Sequence, residues 1–311
     1  MKTARGADRS LPTGNRMQLT CLDCGRFRLD AGSMFGRVPK ALWGRHVAVD
    51  EQNRMDLAAR ALLIEAHGRR VLVDSGVGAG RSEKFRRMFA VDPGETGVEA
   101  ALLRRGIPAD DVTDVLLTHL HWDHAGGATR PAGDGSRTAA FPRAVHHVGR
   151  HHWRWASPAH PWERGGFLAE DLAALAAAPH HNALDRRSKP FPGMTCLPHD
   201  GHTVGLLMPL LELGGGRRLL FASDLIPTRH HVRSSWIMGF DIQPVATYDV
   251  KREVLARAAD EGWGVLLPHD PEVELLTVRR DGDDFAPESA GTLAEWLVGD
   301  LKAAKSSNAG G

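Results

Sequence analysis

The stretch Thr118–Gly127, "THLHWDHAGG", sets three histidines and one aspartate within the six positions from His119 to His124. His119 and His121 alternate, so an extended segment points both the same way. Asp123 and His124 follow where the chain should turn towards a helix, which lets them face a second ion. The Ala-Gly-Gly that follows leaves space for close backbone approach. Imidazole nitrogen and carboxylate oxygen suit zinc, manganese, iron or cobalt, and no thiolate falls in the pattern. A single histidine is more often a solvated or core residue than a ligand. Four candidate ligands at this spacing favour metal.

Outward from this stretch, one pattern recurs: a short apolar run that stops at His or Asp. "DVLLTHLHWDH" runs through Val115, Leu116 and Leu117 into His119. "MTCLPHDGHT" reaches His199, Asp200 and His202, three rival ligands. "RRLLFASDL" runs into Asp224, and "WGVLLPHDP" into His269. Short continuous apolar runs suit strands buried on both faces. If their carboxyl ends converge, these polar residues arrive at one rim, on loops anchored by a rigid sheet.

The bulk composition is that of an ordinary globular protein: 311 residues, 42% hydrophobic, 25% charged, formal net charge +1. Near-neutrality argues against a nucleic-acid partner. No apolar run approaches the roughly 20 residues needed to span a bilayer. The start, "MKTARGADRSLPTGNR", lacks a signal-peptide core, so a cytoplasmic location without membrane contact is expected. Cys21 and Cys24 form a C-x-x-C with no second pair, and with Cys196 they read as plain thiols. Residues 1–16 read as a frayed N-terminus and 303–311 as a flexible tail, around one domain over 17–302. "PAGDGSRTAAFP" (131–142) reads as a surface loop. "ALLIEAHGRRVLVDSG" reads as two strands around a His-Gly turn. "VEAALLRRG", "LAEDLAALAAA" and "VKREVLARAADEG" read as helices, and "ESAGTLAEWLVGDLKAA" as the last helix. Strands and helices mixed along the whole length predict a layered α/β architecture.

These motifs, in this order, resemble those of the metallo-β-lactamase-fold hydrolases, from about Leu62 to His269. "VLVDSG" with Asp74 resembles the early structural aspartate motif. "HLHWDH" matches the full H-x-H-x-D-H signature. "DGHTVG" resembles the G-H-T segment, "FASDL" the segment of the bridging aspartate, and "PHDP" that of the last histidine. The resemblance implies a four-layer αββα sandwich with a dinuclear metal site at the edge of two packed sheets. It implies that His119, His121 and His202 bind one metal, that Asp123, His124 and His269 bind the other, and that Asp224 bridges. It also favours His202 over His199 and Asp200. Two divalent ions are implied, zinc first, with manganese, iron or cobalt compatible.

"LDAGSMFGRVPKALW", Leu29 to Trp43, resembles a narrower branch, that of the methyl parathion hydrolase-like enzymes and quorum-quenching lactonase relatives. One departure matters. The acyl-homoserine lactonases carry a tyrosine shortly after the bridging aspartate. Here "DLIPT" has Pro227, and the only tyrosine is Tyr248.

Two cations sharing a water would pull its pKa towards neutrality and give a hydroxide nucleophile. Asp123 and Asp224 are the candidate catalytic carboxylates, beside their role as ligands. Asp74, Asp200 and Asp270 are candidates to orient the ligand imidazoles, with Thr118 and Thr203 as further hydrogen-bonding partners. The candidate substrate pocket comprises Met34, Phe35, Arg229, His230, His231 and Trp236. His230 and His231 read either as oxyanion binders or as solvated loop residues. Trp153, Trp155, Trp162 and Phe167 read as core packing first and as a pocket cap second. "HHVGRHH" (146–152) reads as a strand running into a helix.

The expected function is hydrolysis of small esters, lactones or organophosphotriesters: a lactonase, esterase or phosphotriesterase, with a small-molecule substrate and a homodimer as the family-level expectation. The alternatives are a glyoxalase II-like thioesterase or a phosphodiesterase, and, from another class, a mononuclear iron sulfur dioxygenase. A non-catalytic binding protein would be expected to have lost ligands.

Overall fold

In a computed structural model, residues 16–91 and 97–304 are described. The first sheet contains β1 (Gln18–Asp30), β2 (Arg54–Ala66), β3 (Arg69–Val73) and β4 (Asp114–Leu117). After a two-stranded hairpin, β5 (Thr129–Pro131) and β6 (Arg137–Ala139), it is completed by β7 (Val145–Gly149) and β8 (His181–Leu184). Its order is β1-β2-β3-β4-β7-β8, antiparallel up to β3 and parallel from there. The second sheet holds β9 (Met194–His199), β10 (Leu206–Glu212), β11 (Arg218–Phe221), β12 (Gly264–Leu266), β13 (Leu275–Asp281), β14 (Asp284–Gly291) and β15 (Lys302–Ala303), side by side in chain order.

The apolar runs explain the layering. In β2, Leu57, Ala59, Ala61 and Leu63 face an outer cluster with Val98, Leu102 and Leu175 of the first helical layer. Leu62 and Ile64, between them, face the second sheet's Leu207, Leu219 and Phe221. On the far side of that sheet, Leu206, Met208 and Leu220 pack against Val254, Leu255 and Ala258 of the helix Pro244–Glu261. Period-two alternation within a wholly apolar run buries both faces of each central strand. The result is the αββα sandwich.

Most sequence readings of elements match. The Ala66–Arg69 turn uses His67 and Gly68, both at positive φ, and the helix Pro244–Glu261 ends on left-handed Gly262. Three readings need correction. Residues 131–142 are not all loop, because Arg137–Ala139 pair with Thr129–Pro131. The last helix covers only Leu293–Val298: Asp284–Gly291 pairs instead with Leu275–Asp281, and Thr292 starts the helix with a capping box. Ala303, assigned to the tail, pairs with Ser289. The frayed start at 1–16 lies outside the described residues except for Arg16, and the tail beyond Ala304 lies outside them too.

Candidate metal centre

Four strands deliver the candidate ligands. β9 and β11 run the same way because each is antiparallel to β10, and β12 is parallel to β11. Their carboxyl ends therefore share a rim, where they meet the end of β4. His119 follows β4, and His121 precedes the short helix Trp122–Ala125 that carries Asp123 and His124. His202 follows β9, Asp224 sits in a turn of 3-10 helix after β11, and His269 lies beyond β12.

All seven residues are buried and fall into two groups, His119, His121, His202 and Asp224, and Asp123, His124 and His269. Within each group the ligand atoms lie within 4.8 Å of one another. His121 Nδ1 lies 3.1 Å from His119 Nε2 and 3.0 Å from His202 Nε2. His124 Nε2 and His269 Nε2 are 2.9 Å apart. A tetrahedral ion with bonds of about 2.0–2.1 Å separates its nitrogen ligands by about 3.3 Å, so this spacing is close to what an ion requires. Asp224 spans the groups: Oδ2 lies 3.1 Å from His202 Nε2, and Oδ1 lies 3.1 Å from both His124 Nε2 and His269 Nε2. His199 and Asp200 belong to neither group. His199 Nε2 accepts the His202 backbone N–H, and Asp200 pairs with Arg186.

The outward nitrogen of every imidazole is held by an acceptor. His124 Nδ1 donates to Asp74 at 2.8 Å, His202 Nδ1 to Asp241 at 2.9 Å, and His121 Nε2 to Glu163 at 2.8 Å. His269 Nδ1 donates to the Ala58 carbonyl at 2.8 Å, and His119 Nδ1 to the Thr118 hydroxyl at 3.1 Å. Placing the proton outside leaves a lone pair on each inward nitrogen, the form in which imidazole binds metal. Asp74 was legible as a partner from sequence; Asp241 and Glu163 were not. Asp270 instead accepts from Arg229 and from backbone N–H groups.

The electrostatics agree with a cation site. Burial and the neighbouring imidazoles hold His119 well below its ordinary value, so it stays neutral. Burial also opposes charge on His124, yet Asp224, Asp123 and Asp74 together drive it well above. Asp224 loses solvation, yet His124, His202 and His269 hold its carboxyl well below the usual range. Five imidazoles and two carboxylates, with Asp74, Asp241 and Glu163 behind the imidazoles, fit hard or borderline divalent ions.

A cavity of about 410 Å³ opens over the cluster. Asp123, Asp224, His202 and His269 reach its base, and Leu29, Met34, Phe89, Trp122, Met238 and Phe240 form its apolar wall. Of the pocket residues expected from sequence, only Met34 lines it. Phe35, His231 and Trp236 are core: Phe35 stacks on His231 at 5.1 Å and meets Trp236 edge-on at 5.5 Å. Arg229 is held by Asp270 and Glu272, and His230 opens to a separate cleft beside His46. The near part of the loop after Asp224 is held in the core, where His231 stacks on Phe35 and its Nε2 reaches the Met34 carbonyl at 2.8 Å, while Met238 and Phe240 further along it reach the cavity. Trp162, 81% exposed, and Glu163 line the cavity from the segment after the helix Arg150–Ala156. Burial pushes the Cys24 thiol up to about 12 and raises Cys21 as well, so both remain inert thiols.

Comparison with known proteins agrees with this geometry. The model of the metallo-beta-lactamase superfamily matches residues 55–269. The chain is 26% identical over 182 residues to an N-acyl homoserine lactonase, AttM, of Azorhizobium caulinodans, covering 57% of this chain and 65% of that relative. A probable metal-dependent hydrolase from Staphylococcus aureus superposes with a TM-score of 0.80 at 26% identity, over 90% of this chain and 98% of that one. AidC, a dizinc quorum-quenching lactonase, superposes with a TM-score of 0.72 at 21% identity, over 89% and 95% of the two chains. Family match, αββα layers and clustered histidines and aspartates together make this chain a member of the metallo-beta-lactamase superfamily.

Proposed function

We propose that this protein is a dinuclear metal-dependent hydrolase of small, neutral, apolar esters, lactones or organophosphotriesters. The observation that carries the reading is the pair of ligand groups joined by Asp224 at the base of an apolar cavity. His119, His121 and His202 would hold one ion and Asp123, His124 and His269 the other, with Asp224 between them. Divalent ions there, zinc foremost, would supply Lewis acidity and lower the pKa of water towards about 7.

The chain's own groups supply the rest. Asp74, Asp241 and Glu163 fix the imidazole tautomers. Asp224, whose two oxygens lie against histidines of both groups, would serve as the shared ligand. Asp123, which borders the cavity, would orient water and accept its proton. Trp122, Phe89 and Phe240 exclude solvent and bind the apolar part of the substrate.

No lysine or arginine lines this cavity among the described residues. That disfavours phosphodiesters and the carboxylate-bearing thioesters of the glyoxalase II type, whose charge would go unpaired. The second ligand group disfavours a mononuclear iron centre. Pro227 is buried and uses its carbonyl to accept the His269 N–H at 3.0 Å, and Tyr248 does not line the cavity. Acyl-homoserine lactones are therefore expected to be poorer substrates than aryl esters, simple lactones or phosphotriesters. Metal analysis with a substrate panel tests the proposal. Two ions per chain and turnover of neutral substrates are expected. One iron per chain, or a preference for phosphodiesters, would refute it.

A further inference from the structure

The helix Arg150–Ala156 has two working faces. Towards the metal centre, His152 Nε2 accepts the Leu120 N–H at 2.8 Å, inside the H-x-H motif, and its Nδ1 donates to the Val204 carbonyl at 2.8 Å. Trp155 Nε1 donates to Glu163 at 2.6 Å, and Glu163 holds His121. Arg150, Trp153 and Arg154, at helical spacings of three and four, lie on another face. They line a second cavity of about 360 Å³ that contains none of the metal ligands.

That cavity has an apolar floor and a cationic rim. Val148 of β7, Leu175 of the neighbouring helix and the Trp153 ring supply the floor. Arg150 and Arg154 supply the charge, and no aspartate or glutamate lines the cavity among the described residues. Among the described residues, Arg150 is tied only to exposed Asp185 and the Ala183 carbonyl, and Arg154 pairs with no acid. His146, two positions before Val148 on the same strand face, is buried. Its Nδ1 reaches the His180 carbonyl at 3.4 Å, while its Nε2 has no hydrogen-bond partner. Buried polar atoms left unpaired are uncommon, and the residue that carries this one, His146, lines a cavity large enough for a small organic molecule.

We propose that this cavity is a second ligand site, which binds an apolar monocarboxylate with its chain on Val148, Leu175 and Trp153 and its carboxylate on Arg150 and Arg154. Because the same helix braces Leu120 and Glu163, occupancy is coupled to the metal centre.

Isothermal titration of the metal-loaded protein with octanoate tests this, with octanol as the uncharged control. R150S/R154S removes the charge, and A176W fills the cavity from its exposed wall; neither alters a metal ligand. Circular dichroism and hydrolytic rate without octanoate report that each variant is folded. Wild type is expected to bind one octanoate more per chain than either variant, and octanol to bind at least about tenfold more weakly. Octanoate should add a non-competitive component to hydrolysis in wild type alone. Equal stoichiometry in all three proteins would overturn the site, and binding without the kinetic component would overturn the coupling. The acid released from a turned-over ester is titrated in parallel. If it binds as tightly as octanoate the source is the enzyme's own product; if it does not, the source is another acid. Titration needs no turnover, so its failure is separate from failure of the hydrolytic reading.

Discussion

Glu163 holds a metal-site histidine from a segment with none of the spacing that marks the ligands. Burial opposes its charge, yet hydrogen bonding and charge from His121, with help from Trp155, bring its carboxyl down to about 2. Its folded value lies below the ordinary 4.5, so its contribution to stability is complete above about 4.5 and is lost as pH falls towards about 2. Glu163→Gln keeps the shape and removes the charge. We expect metal affinity to drop about 10–100-fold, as for other groups that orient a ligand imidazole, and Asp241→Asn to do the same through His202. Competition with a chelator measures both; unchanged affinity would make the two carboxylates packing groups. The seven candidate ligands could be named from sequence because each closes an apolar run or belongs to one dense motif. Glu163 and Asp241 could not, because they arrive from loops 42 and 39 positions away from the histidines they hold.

Among the elements, the two glycines that close the opening motif have a steric reason. A Cβ on Gly127 would run into the Ser75 carbonyl oxygen, and Gly127 N–H bonds the Gly76 carbonyl at 2.9 Å. Gly127→Ala should cost about 1–3 kcal/mol in denaturant unfolding; an unchanged midpoint would show that the two loops can part. On the opposite side, a Cβ on Gly166 would sit 2.6 Å from His121 Cδ2. Gly166→Ala should therefore reduce metal content and activity while shifting Tm by only a few degrees, since the segment is peripheral. The terminal region shows where reading elements from sequence fails. Glu288–Gly291 suits helix or strand by composition, and the free edge of β13 decided for strand. The loop after Asp224 does wall the cavity, through Met238 and Phe240, but the residues singled out from it do not: His231 stacks on Phe35, nearly 200 positions earlier, a contact no local pattern announces.

At the scale of the whole molecule, the candidate ligands come from both sheets, so metal bound there would be linked to folding. Chelation should abolish hydrolysis and lower Tm, and zinc, manganese or cobalt should restore both; full activity after chelation would separate the metal from catalysis. Acid stability has a second source. Burial lowers His152 to about 4, His199 to about 4 and His231 to about 3, against an ordinary 6.5. The unfolded chain takes up these protons first, so stability is intact above about 6.5 and declines as pH falls towards 4. A Tm that stays level from pH 7 to 4 would contradict this. The layered architecture was legible because strands buried on both faces leave unbroken apolar runs. The packing of the two sheets was not, because it depends on contacts such as Leu62 on Phe221 that lie far apart in the chain.

One such long-range contact bears on how the ions are acquired. Ala58 of β2 gives its N–H to the His269 carbonyl at 3.0 Å and its carbonyl to His269 Nδ1, while Arg60 on the same strand holds the carbonyls of Leu267 and Asp270. The last ligand of the second sheet is thus stitched to a strand of the first by the chain itself. Little conformational freedom remains to be surrendered when an ion arrives. A receptor so stiff cannot shrink or swell around its guest, so discrimination among divalent ions should follow radius and coordination preference, and exchange should be slow.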